Sequence, residues 1–520
     1  MKPRLRMGVR PALVATLVLG ALAAGLCGGP LGAQDLASFE KNLTEHQLVN
    51  GLTFLIYERP VAPIVSFYTY VNVGAAQEVP GITGLAHMFE HMAFKGTSTV
   101  GTSDFDSEQV AIAEIDRTYA EYDKARRELG ADPDRVAELE QAWLDAREKA
   151  KEHLVNNEFS EIIDRAGGVG LNATTNSDRT DYFYSLPANK VELWAYLESG
   201  RFLDPVLREF YTERDVVMEE RRLRTESQPI GRMIEQMLAA AFTAHPYGQP
   251  VVGYMSDLQS FSREDALAFY EKHYAPSNMT IAIVGAVKAE ELIPILETYF
   301  GRLPAGEKPA PLRTVEPKQI AERQLRIPDQ SQPVYAEGYL RPSVTHPDDA
   351  VYDAIADVLS TGRTSRLYRS LVRDQKIAAN TGAFNGFPGN KYQNLMLAFA
   401  FPTPGNSAED VQAAIHAEID KIKNEPISDE ELAMVKTRAK AGLIRSLASN
   451  TGIARQLAAF KVLYGDWREI FYNVDRIEKV TKEDIQRVAR ETFRPVNRTA
   501  AMIVNAPAET DEQSADREEG

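Results

Sequence analysis

The regular patterning of this chain breaks off near its middle. Pro304-Ala305-Gly306-Glu307-Lys308-Pro309-Ala310-Pro311-Leu312 places three prolines in nine residues. Proline lacks a backbone donor and clashes inside a helix, so neither a helix nor a central strand runs through this stretch. At 520 residues the chain also exceeds what a single hydrophobic core serves. The break therefore marks a linker, 304–322, between a first lobe at 40–303 and a second at 323–507.

The two sides read alike. In the first, 49–57 opens on a turn and continues in strand formers, and 63–71 alternates as a second strand. Leu85, Met88, Phe89 and Met92 recur at helical spacing within 84–94. Thr, Tyr and Phe mark 171–186 as strands, 192–226 is helical, and 280–285 is a buried strand followed by a helix to Phe300. In the second, strands fall near Arg326 and at 333–340, a helix at 348–360 and further strands near 395–401. Helices follow at 408–423, 429–449 and 482–493, and a last strand at 499–504. Both halves are α+β, which implies a structural duplication without an evident sequence repeat.

Residues 106–157 interrupt the first half. Ile112, Ile115, Tyr119, Tyr122 and Leu129 follow a 3–4 spacing, Gly130-Ala131-Asp132-Pro133-Asp134 breaks it, and Val136, Leu139, Trp143, Ala146 and Ala150 resume it. The pattern predicts two antiparallel helices with facing apolar seams. The charged surroundings make this a solvated helical excursion, with a lid or partner-docking arm as the alternative.

Lys2, Arg4, Arg6 and Arg10 precede an uninterrupted apolar run of 15 residues, 12–26, and Pro30-Leu31-Gly32-Ala33 follows. This is the pattern of an export signal at 1–33, implying a periplasmic or secreted bacterial protein. An uncleaved anchor is the alternative, although a membrane span needs about 20 residues. Cys27 is the single cysteine, so a processed chain has no thiol and any metal site draws on His, Asp and Glu. A net charge of −16 argues against nucleic-acid binding. The polar, acidic stretch 508–520 is expected to be disordered.

The chemistry concentrates in His87-Met88-Phe89-Glu90-His91. Residues four apart share a helix face, so both imidazoles can meet one ion with Glu90 beside them. Zinc accepts imidazole nitrogen and carboxylate oxygen, and a nearby carboxylate can take a proton from water. This is the H-x-x-E-H order. A third ligand is required, and Glu213 and Glu220 lie seven apart on a helical stretch. Either could bind metal while the other accepts a hydrogen bond from a ligand imidazole. His46, His153, His273, His346 and His416 have no such company, His245-Pro246-Tyr247-Gly248 reads as a structural loop, and the three tryptophans read as packing.

The stretch from Gly84 to Thr97 resembles the signature of the pitrilysin family of zinc peptidases, M16, and more narrowly the mitochondrial processing peptidase and its bacterial relatives. Leu171-Asn172-Ala173-Thr174-Thr175 resembles that family's active-site edge strand, and Glu213 to Glu220 its distal glutamate motif. The resemblance implies one Zn²⁺ held by His87, His91 and Glu220, with Glu90 as general base and Glu213 in support. It also implies paired lobes, each a mainly antiparallel sheet packed with helices, enclosing a chamber where peptide lies against Asn172, Ala173 and Thr174. Two departures stand out. The 106–157 hairpin lengthens the gap before Glu220 and is expected to loop out without moving the site. The family's second lobe supplies an Arg and, seven residues on, a Tyr; Arg373 matches the first, but the second position is Asn380. This implies the zinc-bearing subunit of a heterodimer, with a homodimer as rival and a silent scaffold or peptide-binding subunit as the non-enzymatic alternative.

Overall fold

The computed structural model describes residues 36–505. The export-signal and acidic-tail expectations lie outside them. The first half comprises α1 (Leu36–Asn42), β1 (Leu43–Gln47), β2 (Thr53–Glu58), β3 (Ile64–Val71), α2 (Leu85–Met92), α3 (Phe105–Arg127), α4 (Pro133–Ala150) and α5 (Glu158–Arg165). It continues with β4 (Val169–Thr175), β5 (Thr180–Pro187), α6 (Val191–Leu203), α7 (Phe210–Arg221), α8 (Pro229–Ala241), α9 (Met255–Leu258), α10 (Arg263–His273), β6 (Met279–Gly285) and α11 (Ala289–Phe300). The second half comprises β7 (Arg323–Asp329), β8 (Val334–Arg341), α12 (Asp349–Ser360), β9 (Ala378–Phe387), β10 (Asn394–Pro402), α13 (Ala408–Asn424), α14 (Asp429–Ser446), α15 (Asn450–Tyr464), α16 (Glu469–Lys479), α17 (Lys482–Thr492) and β11 (Arg498–Asn505).

Two sheets result, in the orders β1-β2-β6-β3-β5-β4 and β7-β11-β8-β10-β9. Leaving out β1, they match strand for strand. β2 pairs parallel with β6 as β7 does with β11, and every other pairing is antiparallel. The duplication expected from element order is thus present in topology. No helix or strand occupies 304–322, yet this stretch is tied down. Glu316 accepts hydrogen bonds from the backbone of Thr243, Ala244 and His245 at 2.8–2.9 Å.

Each half lends a helix to the other. α8 follows the first lobe's α7 but packs on β11, β7 and β8 of the second sheet. There Met233 and Met237 join Val334, Ala336, Leu397, Ala501 and Ile503 in one buried cluster. α15, from the second half, lies on β3 and β6 of the first sheet. Its Arg455 guanidinium stands over the rings of Tyr68 and Phe183, and Asn450 accepts a 2.7 Å hydrogen bond from Arg59. Sheet faces are apolar on the side they bury, so each sheet is covered only when both halves are present.

The hairpin forms at α3 and α4, capped by Asp104 and by Asp132 with Pro133 at the first helical position. Tyr122 stacks on Trp143 across the seam at 5.5 Å. Leu129, expected on that seam, lies in the turn between the helices and is fully exposed. The helix expected at 429–449 ends at Ser446, and Ser449 caps a new helix, α15.

A second tie joins the lobes at the β4–β5 turn. Asp178, 2% exposed, accepts hydrogen bonds from Tyr247 Oη at 2.5 Å, the Asn390 amide at 2.6 Å and the Lys391 amide at 3.1 Å. Asp178→Ala leaves these donors buried and unpaired and is expected to cost about 3 kcal/mol. Asp178→Asn, which keeps an acceptor oxygen, is expected to lose less. The ranking is read from urea unfolding midpoints.

Candidate metal centre

α2 is held on three sides. Leu85, Ala86, Met88 and Met92 enter the core, and Phe89 lies among Phe269, Tyr270 and Tyr274 with ring centroids 5.1–6.0 Å away. Its N-cap, Gly84, has φ +98° and offers no side chain. A Cβ there would meet the Val252 carbonyl oxygen at 2.8 Å, so only glycine fits. The capping role passes to Glu78, whose carboxylate accepts the amides of Gly84 at 2.8 Å and Ala86 at 2.7 Å. Burial pushes the Glu78 pKa up to about 8, so what it supplies at the helix N-terminus is two acceptor oxygens for otherwise orphan amides.

His87 and His91 share the face of α2 that points at α7. Both Nε2 atoms approach one oxygen, Glu220 Oε2, at 3.7 and 3.4 Å. The three donor atoms lie within 4.8 Å of one another. The contacts are too long for strong hydrogen bonds. They match the edge, about 3.4 Å, of a tetrahedron with bonds of about 2.1 Å, the length zinc takes to nitrogen and oxygen. His87 is buried and Glu220 partly so, and His87 Nδ1 has no hydrogen-bond partner. Burial, with the neighbouring His91 next in effect, holds the His87 pKa well below its ordinary value, leaving a neutral imidazole whose lone pair can bind a cation. The residues present therefore fit a zinc ion.

Glu213 lies on the far side of His91. Its Oε2 lies 3.4 Å from His91 Nδ1, and its Oε1 is 2.5 Å from Lys95 Nζ. Burial disfavours charge on His91, but the hydrogen bond to Glu213 and the charges of Glu220, Glu213 and Glu90 outweigh it and raise its pKa. A carboxylate on the far nitrogen fixes an imidazole's tautomer and orientation. The other oxygen of Glu220 is ion-paired with Arg224, on a π-helical turn, Arg222–Glu226, that continues α7. Gly231 permits that turn, because a Cβ there would meet the Arg224 carbonyl oxygen at 2.3 Å. Glu90 lines the same cavity as His87, Glu220 and Thr175, and burial raises its pKa.

These groups open on a cavity of about 560 Å³ between the lobes. His87, Glu90, Glu220 and Arg224 form one side, and Thr174, Thr175 and Asn176 bring in the end of β4. Ile234, Leu238, Val252, Phe387 and Pro388 make an apolar wall. β4 is the free edge of its sheet. Of the expected peptide contacts, Thr174 lines the cavity, while Asn172 and Ala173 lie further along the same strand. Arg373 is not brought in. It lies on a second π-helical turn, Tyr368–Asp374, exposed and ion-paired with Asp374 at 2.6 Å. Glu78 and Arg224 were not legible as site residues, because each reaches the site through a tertiary contact or an irregular turn. His416, expected to be solitary, approaches buried Glu337 at 2.8 Å.

That combination defines a class: a two-lobed α+β protein whose first lobe carries a donor set suited to a divalent metal. Residues 53–125 match the model described as insulinase (peptidase family M16), and residues 260–439 match the peptidase M16 inactive domain. The chain belongs to the M16 peptidase family. It is 28% identical over 445 residues to a zinc protease, PqqE, of Helicobacter pylori, covering 83% of this chain and 86% of that one. A solved protease from Helicobacter pylori superposes with a TM-score of 0.74 at 25% identity, over 89% of this chain and 99% of that chain. The periplasmic protease PqqL of Escherichia coli shares the fold, with a TM-score of 0.65 at 19% identity, covering 92% of this chain and 50% of that one.

Glu78→Ala is expected to leave two buried amides at the start of α2 unpaired, at about 2–5 kcal/mol. Thermal unfolding measures the loss. Faster hydrogen exchange at Ala86 locates it.

Proposed function

We propose that this chain is a zinc-dependent endopeptidase acting on peptides or unfolded segments. The observation that carries the reading is the convergence of His87, His91 and Glu220 beside Glu90, at the end of a free sheet edge. Zinc, when bound, supplies Lewis acidity to the scissile carbonyl and lowers the pKa of water to about 7. Glu90 accepts the proton of the attacking water and returns it to the departing amine nitrogen, so one carboxyl serves as base and then acid. Glu213 holds His91 in register throughout. The substrate backbone adds to β4 as a further strand, with Thr174 nearest the chemistry and Asn172 and Ala173 continuing the contact. The apolar cavity wall suits an apolar side chain next to the scissile bond.

Its place within the family is with the bacterial relatives of the mitochondrial processing peptidase. The outward position of Arg373 and the Asn at 380 support a zinc-bearing subunit whose homologous partner completes the substrate contacts. Among the described residues no helix is long and apolar enough to cross a membrane, and the amino-terminal pattern supports export to the periplasm or beyond. The alternative is a scaffold or peptide-binding subunit. The retained donor set favours the enzyme.

Wild-type protein is expected to hold one zinc per chain by atomic absorption and to lose peptide cleavage on chelation. Glu90→Gln keeps the metal and slows turnover by about 10²–10⁴-fold. Full cleavage by Glu90→Gln would overturn the mechanism, and a metal-free wild type would overturn the site. For the assembly, sizing of the chain alone and with a homologue lacking H-x-x-E-H should show activity only in the mixed species. A fully active lone homodimer counts against it.

A further inference from the structure

The α3–α4 hairpin was expected to loop out as a solvated excursion. Instead, it packs behind α7, the helix that carries both Glu213 and Glu220. Three contacts fix that helix from its rear. Just before it, Arg208, 2% exposed, donates to Glu108 of α3 at 2.8 and 3.1 Å and to the carbonyls of Thr97 and Val100 at 2.6 and 2.8 Å. On its first turns, Arg214, 4% exposed, sits among the rings of Tyr119 (α3), Trp143 (α4) and Tyr211 at 4.9–5.6 Å. Arg214 Nη1 donates to Tyr119 Oη at 2.8 Å and to the Phe261 carbonyl at 3.2 Å. Beside it, Arg147 of α4 pairs with Asp215 at 2.7 Å.

Arg214 directly follows Glu213, so the ring cage and the His91 support leave α7 from adjacent residues. No carboxylate among the described residues lies within ion-pair distance of Arg214. A desolvated guanidinium held by aromatic faces keeps its place only while those faces stay put. Glu213 and Glu220 are seven positions apart, about 10.5 Å of helix, so a tilt at the caged end carries to the ligand end. Metal sites tolerate only about 0.5 Å of such displacement.

We propose that the hairpin is a brace for the metal centre, with Trp143, Tyr119 and Arg147 acting as positioning residues that set α7, and hence Glu220, against His87 and His91. This rests on the reading of those three residues as zinc ligands, and it gives the hairpin a role in affinity as well as in folding.

The test uses the full chain and zinc alone, with affinity read by competition against a chromophoric chelator and the fold of the metal-free protein read by circular dichroism. Trp143→Ala is expected to weaken zinc binding about 10–100-fold, Trp143→Phe to restore most of it, and Arg147→Ala to fall between. If Trp143→Ala does not fold, Arg147→Ala and Tyr119→Phe decide. Zinc affinity equal to wild type in the folded variants, with only the melting temperature lowered, overturns the brace and leaves the metal reading standing. A wild type that binds no zinc overturns both.

Discussion

The proposed chemistry depends on two helices meeting at one oxygen atom. α2 offers two imidazoles one turn apart, and α7 offers a carboxylate, and neither helix can choose its position alone. α2 is fixed by Phe89 among aromatic rings and by Glu78 at its first turn. α7 is fixed by the arginines on its rear face, including Arg221, which reaches Glu235 and the Gly253 carbonyl. The buried arginines do for this crossing what a disulfide does elsewhere, in a chain whose described residues contain no cysteine. Guanidinium suits the task because its planar donors reach several carbonyls or a ring face at once.

The same economy shapes the cleft. The segment that follows α7 turns through a π-helical stretch, places Arg224 back over Glu220, and then becomes α8, which lines the cavity and covers the second sheet. A candidate metal donor, the cavity wall and inter-lobe packing therefore lie on one continuous run of chain. π-helical turns often mark functional sites, and here the irregular turn brings the Arg224 guanidinium next to the Glu220 carboxylate.

Much of this was legible in the residues. The H-x-x-E-H spacing placed His87, Glu90 and His91 on one face because helical periodicity is local, and the breaker at 130–134 that divides the hairpin is local too. Spacing also placed Glu213 and Glu220 on one side of α7, but only the resemblance ranked them. The hairpin's packing was misread because charge pattern reports solvent exposure and cannot show that Tyr119 and Trp143 would meet an arginine from elsewhere. The helix expected at 429–449 overran its end at Ser446, since the Leu447–Ser449 break carries no glycine or proline, and α15 beyond it was not anticipated. β9 was missed because Asn380, Thr381, Gly382 and Gly386 dilute its strand signal, and its pairing with β10 decides its conformation. Glu78 and Asp178 act through hydrogen bonds that no local pattern announces.

The exchange of α8 and α15 bears on how the protein comes into being. A nascent chain released as far as the linker has made both histidines and Glu220, yet the face of its sheet around Tyr68 and Phe183 lies bare until α15 arrives. Domains usually mature in the order of synthesis. Here the first lobe must wait for the second, so the lobe bearing the donor set matures only once most of the polypeptide has been synthesised.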